Sequence, residues 1–160
     1  MKRNYWENMA GTYNEEIFDV LQQDKKALVR SAIEQFASRS KTVGDFGCAV
    51  GKWLPLLSPL FKKVYAIDIS AKNLAIAKAA YPALKNVEYI RPDLSGKNRI
   101  PVCDAGICIN AILTPSPKDR DQFFTALKNS IKKNGTLIIT VPSLESWMLT
   151  RVIQQQWKID

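Results

Sequence analysis

Short apolar runs that end in glycine-bordered turns alternate along this chain with stretches whose apolar residues recur every three or four positions. In the first forty residues Ile17, Phe18, Leu21, Leu28, Val29, Ala32, Ile33 and Phe36 carry the helical spacing, with charges between them. Two helices are expected there, the second capped by Asp24. Residues 43–46 then form an apolar run that breaks at Gly47 and Gly51, and residues 64–69 form a second. Between them Gly51 opens a short helix bearing Trp53, Leu54, Leu56 and Leu57, with Pro55 in the first turn, where a missing N–H costs nothing. Ser70 is placed to cap a further helix that runs through Leu74 and Ala77 toward Tyr81-Pro82. Residues 86–93 read as a third strand, and residues 103–113 and 136–142 as two more. Ser116-Pro117 is the clearest helix start in the chain. Phe123, Phe124, Leu127 and Ile131 are expected to form that helix's buried face and Asn134-Gly135 its end.

Strands that alternate with helices in this rhythm predict an α/β fold with a parallel sheet covered on both faces. For five strands the expected arrangement is Rossmann-like, in the order 3-2-1-4-5, with ligands bound beyond the carboxyl ends of the strands where the order reverses, beside Gly47. At 160 residues the chain is read as one domain. Residues 1–40 supply N-terminal helices, 41–142 a cofactor-binding core and 143–160 a C-terminal helix.

The run Val43-Gly44-Asp45-Phe46-Gly47-Cys48-Ala49-Val50-Gly51, followed by a second strand that ends at Asp68, is suited to gripping a nucleoside. Glycine lets backbone approach a ligand closely and tolerates positive φ. Asp68 is placed to accept hydrogen bonds from two ribose hydroxyls. A dinucleotide fingerprint would need glycine at three positions that here read Gly47, Ala49 and Lys52, which disfavours NAD. A phosphate-binding loop fails as well, because Gly51-Lys52 is followed by Trp53 and Phe46 stands where the earlier glycine belongs.

Asp45-Phe46-Gly47-Cys48-Ala49-Val50-Gly51 resembles the first motif of the class I S-adenosylmethionine-dependent methyltransferases of small-molecule type, with Ala49 in place of the middle glycine. The third, fourth and fifth strands fall in the family's order, so the resemblance covers roughly residues 40 to 142. It implies S-adenosyl-L-methionine as cofactor, with Gly47, Cys48, Ala49 and Gly51 in the cofactor loop and Asp45 supporting that loop or the methionine amino group. Asp93 falls where the family meets the adenine amino group, Ile69 and Leu94 where it sandwiches adenine, and Asn110 with Ala111 near the sulfonium. The N-terminal part, with Trp6, Ala10 and Tyr13 in similar places, is implied as a helical lid, Tyr13 touching the cofactor carboxylate or filling core. The N-terminus of the helix after Gly51 is a further support for that carboxylate. Family members usually add a sixth and an antiparallel seventh strand, whereas residues 143–153 read as a helix; the expectation is a fragment with an exposed fifth-strand edge and Trp147 or Trp157 uncovered.

Methyl transfer from a sulfonium needs alignment more than a protein nucleophile, and with no histidine in the chain no catalytic residue is singled out. Cys48, Cys103 and Cys108 form no metal-ligand or redox spacing, so no metal is expected. Pro101-Val102-Cys103 is set aside as a cytosine-methylating nucleophile because its cysteine opens the fourth strand rather than following it. The net charge of +8 is spread along the chain with no basic block. Basic residues at the N-terminus have no apolar core behind them, and no stretch approaches the roughly 20 apolar residues of a membrane span, so a cytoplasmic protein is expected. Asn110 leads into Ala111-Ile112-Leu113-Thr114 rather than a Pro-Pro-Tyr sequence, which favours a small-molecule acceptor. The alternatives are an RNA methyltransferase that uses the diffuse positive surface and a cofactor-binding domain without catalysis of its own. Oligomeric state is not legible.

Overall fold

A computed structural model of the chain describes residues 3–12, 19–92, 100–114 and 116–153. Helices α1 (Arg3–Met9), α2 (Val20–Gln23) and α3 (Leu28–Phe36) precede β1 (Thr42–Phe46). Then follow α4 (Leu54–Leu60), β2 (Lys63–Ile67), α5 (Ala71–Ala80), β3 (Val87–Ile90), β4 (Cys103–Ile109), α6 (Pro117–Asn129), β5 (Ile131–Thr140) and α7 (Leu144–Ile153). The sheet has the order β3-β2-β1-β4-β5, with every pairing parallel, as the alternation of elements predicts. Its reversal point lies between β1 and β4, above Gly47.

Period-two alternation sorts the strand side chains onto two faces. Val43, Val64, Ala66, Ala105 and Ile107 join Ile33, Trp53, Leu54, Leu57, Leu74 and Ala77 in one core, beneath α3, α4 and α5. Phe46, Ile67 and Cys108 join Ile112 and Leu127 in the other, beneath α6. On that second face the Phe46 ring lies back over two glycines. A Cβ at Gly44 would meet it at 2.7 Å, and one at Gly106 would meet it at 2.7 Å and Ile131 at 2.8 Å. The small positions of adjacent strands make the space the ring fills.

Caps form where local chemistry calls for them. Asp24 accepts the N–H groups of Leu28, Val29 and Arg30 at 2.7, 3.0 and 3.0 Å, closing the start of α3. Ser116 accepts from Asp119 at the start of α6, with Pro117 first in the helix. The end of α6 differs from expectation. The helix stops at Asn129, Ile131 already pairs with Cys103 in β5, and Asn134-Gly135 lies inside the strand element. There two steps along β4, from Cys103 to Ala105, face five along β5, from Ile131 to Thr136. Asn134 takes a φ of 67° in this bulge, and a Cβ on Gly135 would lie 2.7 Å from the Asp104 carbonyl. The Asn-Gly pair is a turn as its chemistry requires, but a bulge rather than a helix stop. Phe124, expected inside, is 44% exposed, and Leu28 is exposed as well.

At the opposite end of the sheet from Gly47, Asp104 accepts the N–H and hydroxyl of Thr42, both at 2.8 Å, and pairs with Lys132 at 2.7 Å. Lys132 foremost, with the Thr42 donors, holds this carboxyl down at about 2. The three central and edge strands are tied there by one charge, leaving the other end of the sheet open for a ligand. Among the described residues β5 pairs only with β4, and Leu144, Leu149 and Val152 of α7 are exposed. The Trp147 side chain and Trp157 lie outside the described residues.

Because the Phe46 ring is held in a filled core, Gly106→Ala is expected to cost about 1–3 kcal/mol of stability. Chemical denaturation at neutral pH measures it; an unchanged midpoint would show that the ring has room to move.

Candidate functional site

The carboxyl ends of β1 and β2 carry two buried acids, Asp45 and Asp68, 2% and 9% exposed. The strands stand side by side with Asp45 opposite Ala66 and Phe46 opposite Ile67, so Asp68 lies one residue past the end of the pairing. The Ile67 carbonyl accepts the N–H groups of Gly47 and Cys48 at 2.7 and 3.0 Å. Asp68 then takes over the loop: Oδ2 accepts the Ala49 N–H at 3.0 Å and Oδ1 the Ser70 N–H at 2.8 Å. The side chain of Asn73 on α5, itself buried, adds a third hydrogen bond. Burial raises the Asp68 carboxyl above its ordinary range, and these donors pull back against it. Three of the carboxylate's four lone-pair sites are thereby taken and one is left.

Asp45 is differently placed. Among the described residues its Oδ2 has no hydrogen-bond partner, and burial, followed by repulsion from Asp68, pushes the carboxyl up to about 8. A carboxyl oxygen buried without a donor is costly, which makes Asp45 a candidate for contact with a ligand. A ligand that brings an ammonium to Asp45 and hydroxyls to Asp68 would satisfy both.

The turn between β1 and α4 uses its residues for distinct reasons. Gly47 has a φ of 80°, and a Cβ there would come within 2.3 Å of the Ala111 Cβ, at the end of β4. Gly51 has a φ of 81°, and its Cβ would press on Leu54 at 2.7 Å and Ala77 at 3.0 Å. Ala49 also sits in the left-handed region, at 46°, where a Cβ is strained. Cys48 is buried, its thiol pushed well up by burial and then by the two acids, so it packs rather than reacts. Asn110 follows β4 with a φ of 51°, bonds through its N–H to the Thr140 carbonyl at 3.0 Å, and takes the Thr140 hydroxyl at 3.4 Å. Ile69 is half-buried beside Asp68.

Asp45, Gly47, Cys48, Ala49, Gly51 and Asp68 are therefore drawn together at one end of the sheet, with Asn110 at the neighbouring strand's tip. Tyr13, Asp93 and Leu94 lie outside the described residues. The start of α4 is not the open carboxylate support expected of it. Leu54 donates to the Gly51 carbonyl, Pro55 has no N–H, and Leu56 and Leu57 both donate to Trp53. Sequence reading passed over Asn73, whose only signal is a lone polar residue on the buried side of α5, and Glu7, which carries none.

Residues 44–139 match the family described as a methyltransferase domain. The chain belongs to the methyltransferase-domain family. Its fold is also that of solved methyltransferases. The DhpI–SAM–HEP complex aligns with a TM-score of 0.72 at 20% identity over 96% of this chain and 68% of its own. An S-adenosylmethionine-dependent methyltransferase from Clostridium acetobutylicum ATCC 824 gives 0.64 at 20% over 85% of this chain and 57% of its own. The N-methyltransferase NodS from Bradyrhizobium japonicum WM9, solved with S-adenosyl-L-homocysteine, gives 0.71 at 13% over 86% and 71%. At these identities the likeness is one of fold, and this chain spans only part of each longer one. No curated protein sequence matches it. Among the described residues no cluster of side chains suits a metal ion.

Two predictions follow from how this methyltransferase domain builds its loop. Ala49→Gly removes left-handed strain of about 1–2 kcal/mol, partly offset by the freer unfolded chain, so stability should hold or rise by up to about 1 kcal/mol in denaturant titration. A clear loss would mean the methyl contributes packing that outweighs the strain. Asp45 has a folded value near 8, far above the ordinary carboxyl value of 3.8, so its contribution to stability is present in full below about pH 4 and drains away as pH rises through 8. Ligand-free Asp45→Asn should gain on the wild type in melting temperature between pH 5 and pH 8. A difference that does not vary with pH would contradict the buried, unpartnered acid.

Proposed function

We propose that this chain binds S-adenosyl-L-methionine at the carboxyl ends of β1 and β2 and transfers its methyl group to a small-molecule acceptor. The unpartnered Asp45 oxygen beside the incompletely used Asp68 carboxylate is the observation that carries this reading. Asp68 would hold the ribose through its remaining acceptor site and by sharing the oxygens already bonded to the loop, and Asp45 the methionine ammonium. Gly47, Ala49 and Gly51 would shape the turn around the ligand, with Asn110 at the sulfonium side. The bound cofactor supplies a methyl already activated by its sulfonium leaving group.

The chain's own share is then to bind, orient and exclude water. Alignment alone is worth roughly 7–11 kcal/mol in an in-line reaction, so the absence of histidine is no obstacle. Acceptors that are already nucleophilic suit this chain best. The tip of β4, where Asn110-Ala111-Ile112-Leu113 stands in place of a flat-base clamp, supports a small acceptor. Three buried free cysteines and the absence, among the described residues, of any helix long and apolar enough to cross a membrane fit a reducing, cytoplasmic setting.

Asp68→Ala tests the assignment. Titration calorimetry with S-adenosyl-L-homocysteine should show binding to the wild type and a loss of at least about 100-fold in the variant, as expected when a buried charge-assisted pair of hydrogen bonds is removed. Equal affinity would overturn the ribose assignment.

A further inference from the structure

The first turn of α5 is capped from outside its own segment. Ser70 accepts the Asn73 N–H at 3.1 Å in the ordinary manner of a cap. The two N–H groups it leaves over are taken by Glu7 of α1: Ala71 donates to Oε1 at 2.9 Å and Lys72 to Oε2 at 3.2 Å. Ser70 adds its own hydroxyl to Glu7 Oε2 at 3.1 Å. These contacts, the Ala71 N–H foremost, hold the Glu7 carboxyl below its ordinary range.

Ser70 also gives its N–H to Asp68. One serine thus bridges the acid assigned to the ribose and the acid that docks the N-terminal helix. The two carboxylates repel each other across it, since Glu7 is among the groups that raise Asp68. Donors arriving at Asp68 would spread that charge and relieve the repulsion. On the other wall of the site Asp19, the cap of α2, pairs with Lys52 of the glycine turn at 2.9 Å, so the N-terminal elements are tied to the core on both sides.

We propose that Glu7 is a positioning residue: its carboxylate docks α1 on the first turn of α5, and that docking and occupancy of the ribose site at Asp68 stabilise each other. The inference rests on the cofactor reading above and deepens it, because it makes α1 responsive to whether the cofactor is bound. Glu7 acts through Ser70 and the α5 terminus and touches no reacting atom.

Amide hydrogen exchange at Ala71 and Lys72, with and without S-adenosyl-L-homocysteine, reads the coupling in the wild type. Calorimetry with the same ligand on Glu7→Ala and Glu7→Gln reads it in affinity. The ligand should slow exchange at both amides. Glu7→Ala should weaken binding about tenfold, equivalent to about 1.4 kcal/mol, and Glu7→Gln less, because its amide oxygen still accepts one N–H. The ligand-free melting temperatures of the two variants should lie close together. Equal affinities in all three proteins, or exchange at Ala71 and Lys72 that ignores the ligand, would overturn the proposal while leaving the cofactor assignment intact. Failure of the wild type to bind would remove both. Should Glu7→Ala not fold, Glu7→Gln and the wild-type exchange decide the question.

Discussion

The carboxylate of Asp68 is the junction on which the site and much of the fold depend. It receives an N–H from the β1–α4 turn, an N–H from the start of α5 and a side-chain donor from within α5. These donors come from the turn after β1 and from the start of α5, and the parallel register of β1 and β2 brings them together there. A buried carboxylate is unfavourable, and the upward shift of Asp68 shows that its donors do not fully compensate. The shortfall suits the proposed role at the ribose: the group is held well enough to be in place and incompletely enough to gain from further donors. Asp45 shows the same principle carried further, with an oxygen for which the described chain offers no donor at all.

The glycine turn looks different once its neighbours are known. Its spacing suggests room for a ligand, yet the contacts around Gly47 and Gly51 show a second demand from the protein itself. Gly47 is small because the tip of β4 presses on it through Ala111, and Gly51 because α4 and α5 close over it through Leu54 and Ala77. Both also need a positive φ. Position 49, the one that departs from the family motif, shares the left-handed backbone and still accommodates a methyl. The turn keeps its shape there because Asp68 holds the Ala49 N–H, so a contact made by the site offsets strain in the loop.

What the sequence made legible were the features whose physics is local or periodic. The strand order rests on the alternation of elements, and the caps at Asp24, Ser70 and Ser116 formed because short polar side chains bond the N–H groups just beyond them. Asp68 stood out because it ends an apolar run, and Asp45 because it opens the segment that resembles the family's first motif. The failures come from tertiary demands. Asn134-Gly135 has the chemistry of a turn, but only the pairing of Ile131 with Cys103 decides that the strand has already begun. Phe124 follows the helical spacing of α6 yet lies at the margin of the face that Leu127 buries. The start of α4 is expected to support a carboxylate as helix N-termini do, whereas the Gly51 and Trp53 carbonyls take the N–H groups of Leu54, Leu56 and Leu57. Glu7 had no signal in the sequence, since its partners lie more than sixty residues away.

Charge gives the last step. The chain carries a net +8, but the end of the sheet around Gly47 gathers Asp45, Asp68 and Glu7, with Asp19 paired to Lys52 beside them. A gathering of acids at one end of a basic protein's sheet would favour a cation there, because the local field acts at short range while the distant positive surface is screened within about 10 Å. The proposed cofactor fits that demand through both its ammonium and its sulfonium. In the proposed reading, the Asp68 carboxylate that would hold the ligand is the same one that ties the turn after β1 to the start of α5. Positioning is then a property of the fold's own hydrogen bonds, and any change that loosens Asp68 loosens the loop and the helix start together, and with them the proposed ribose site.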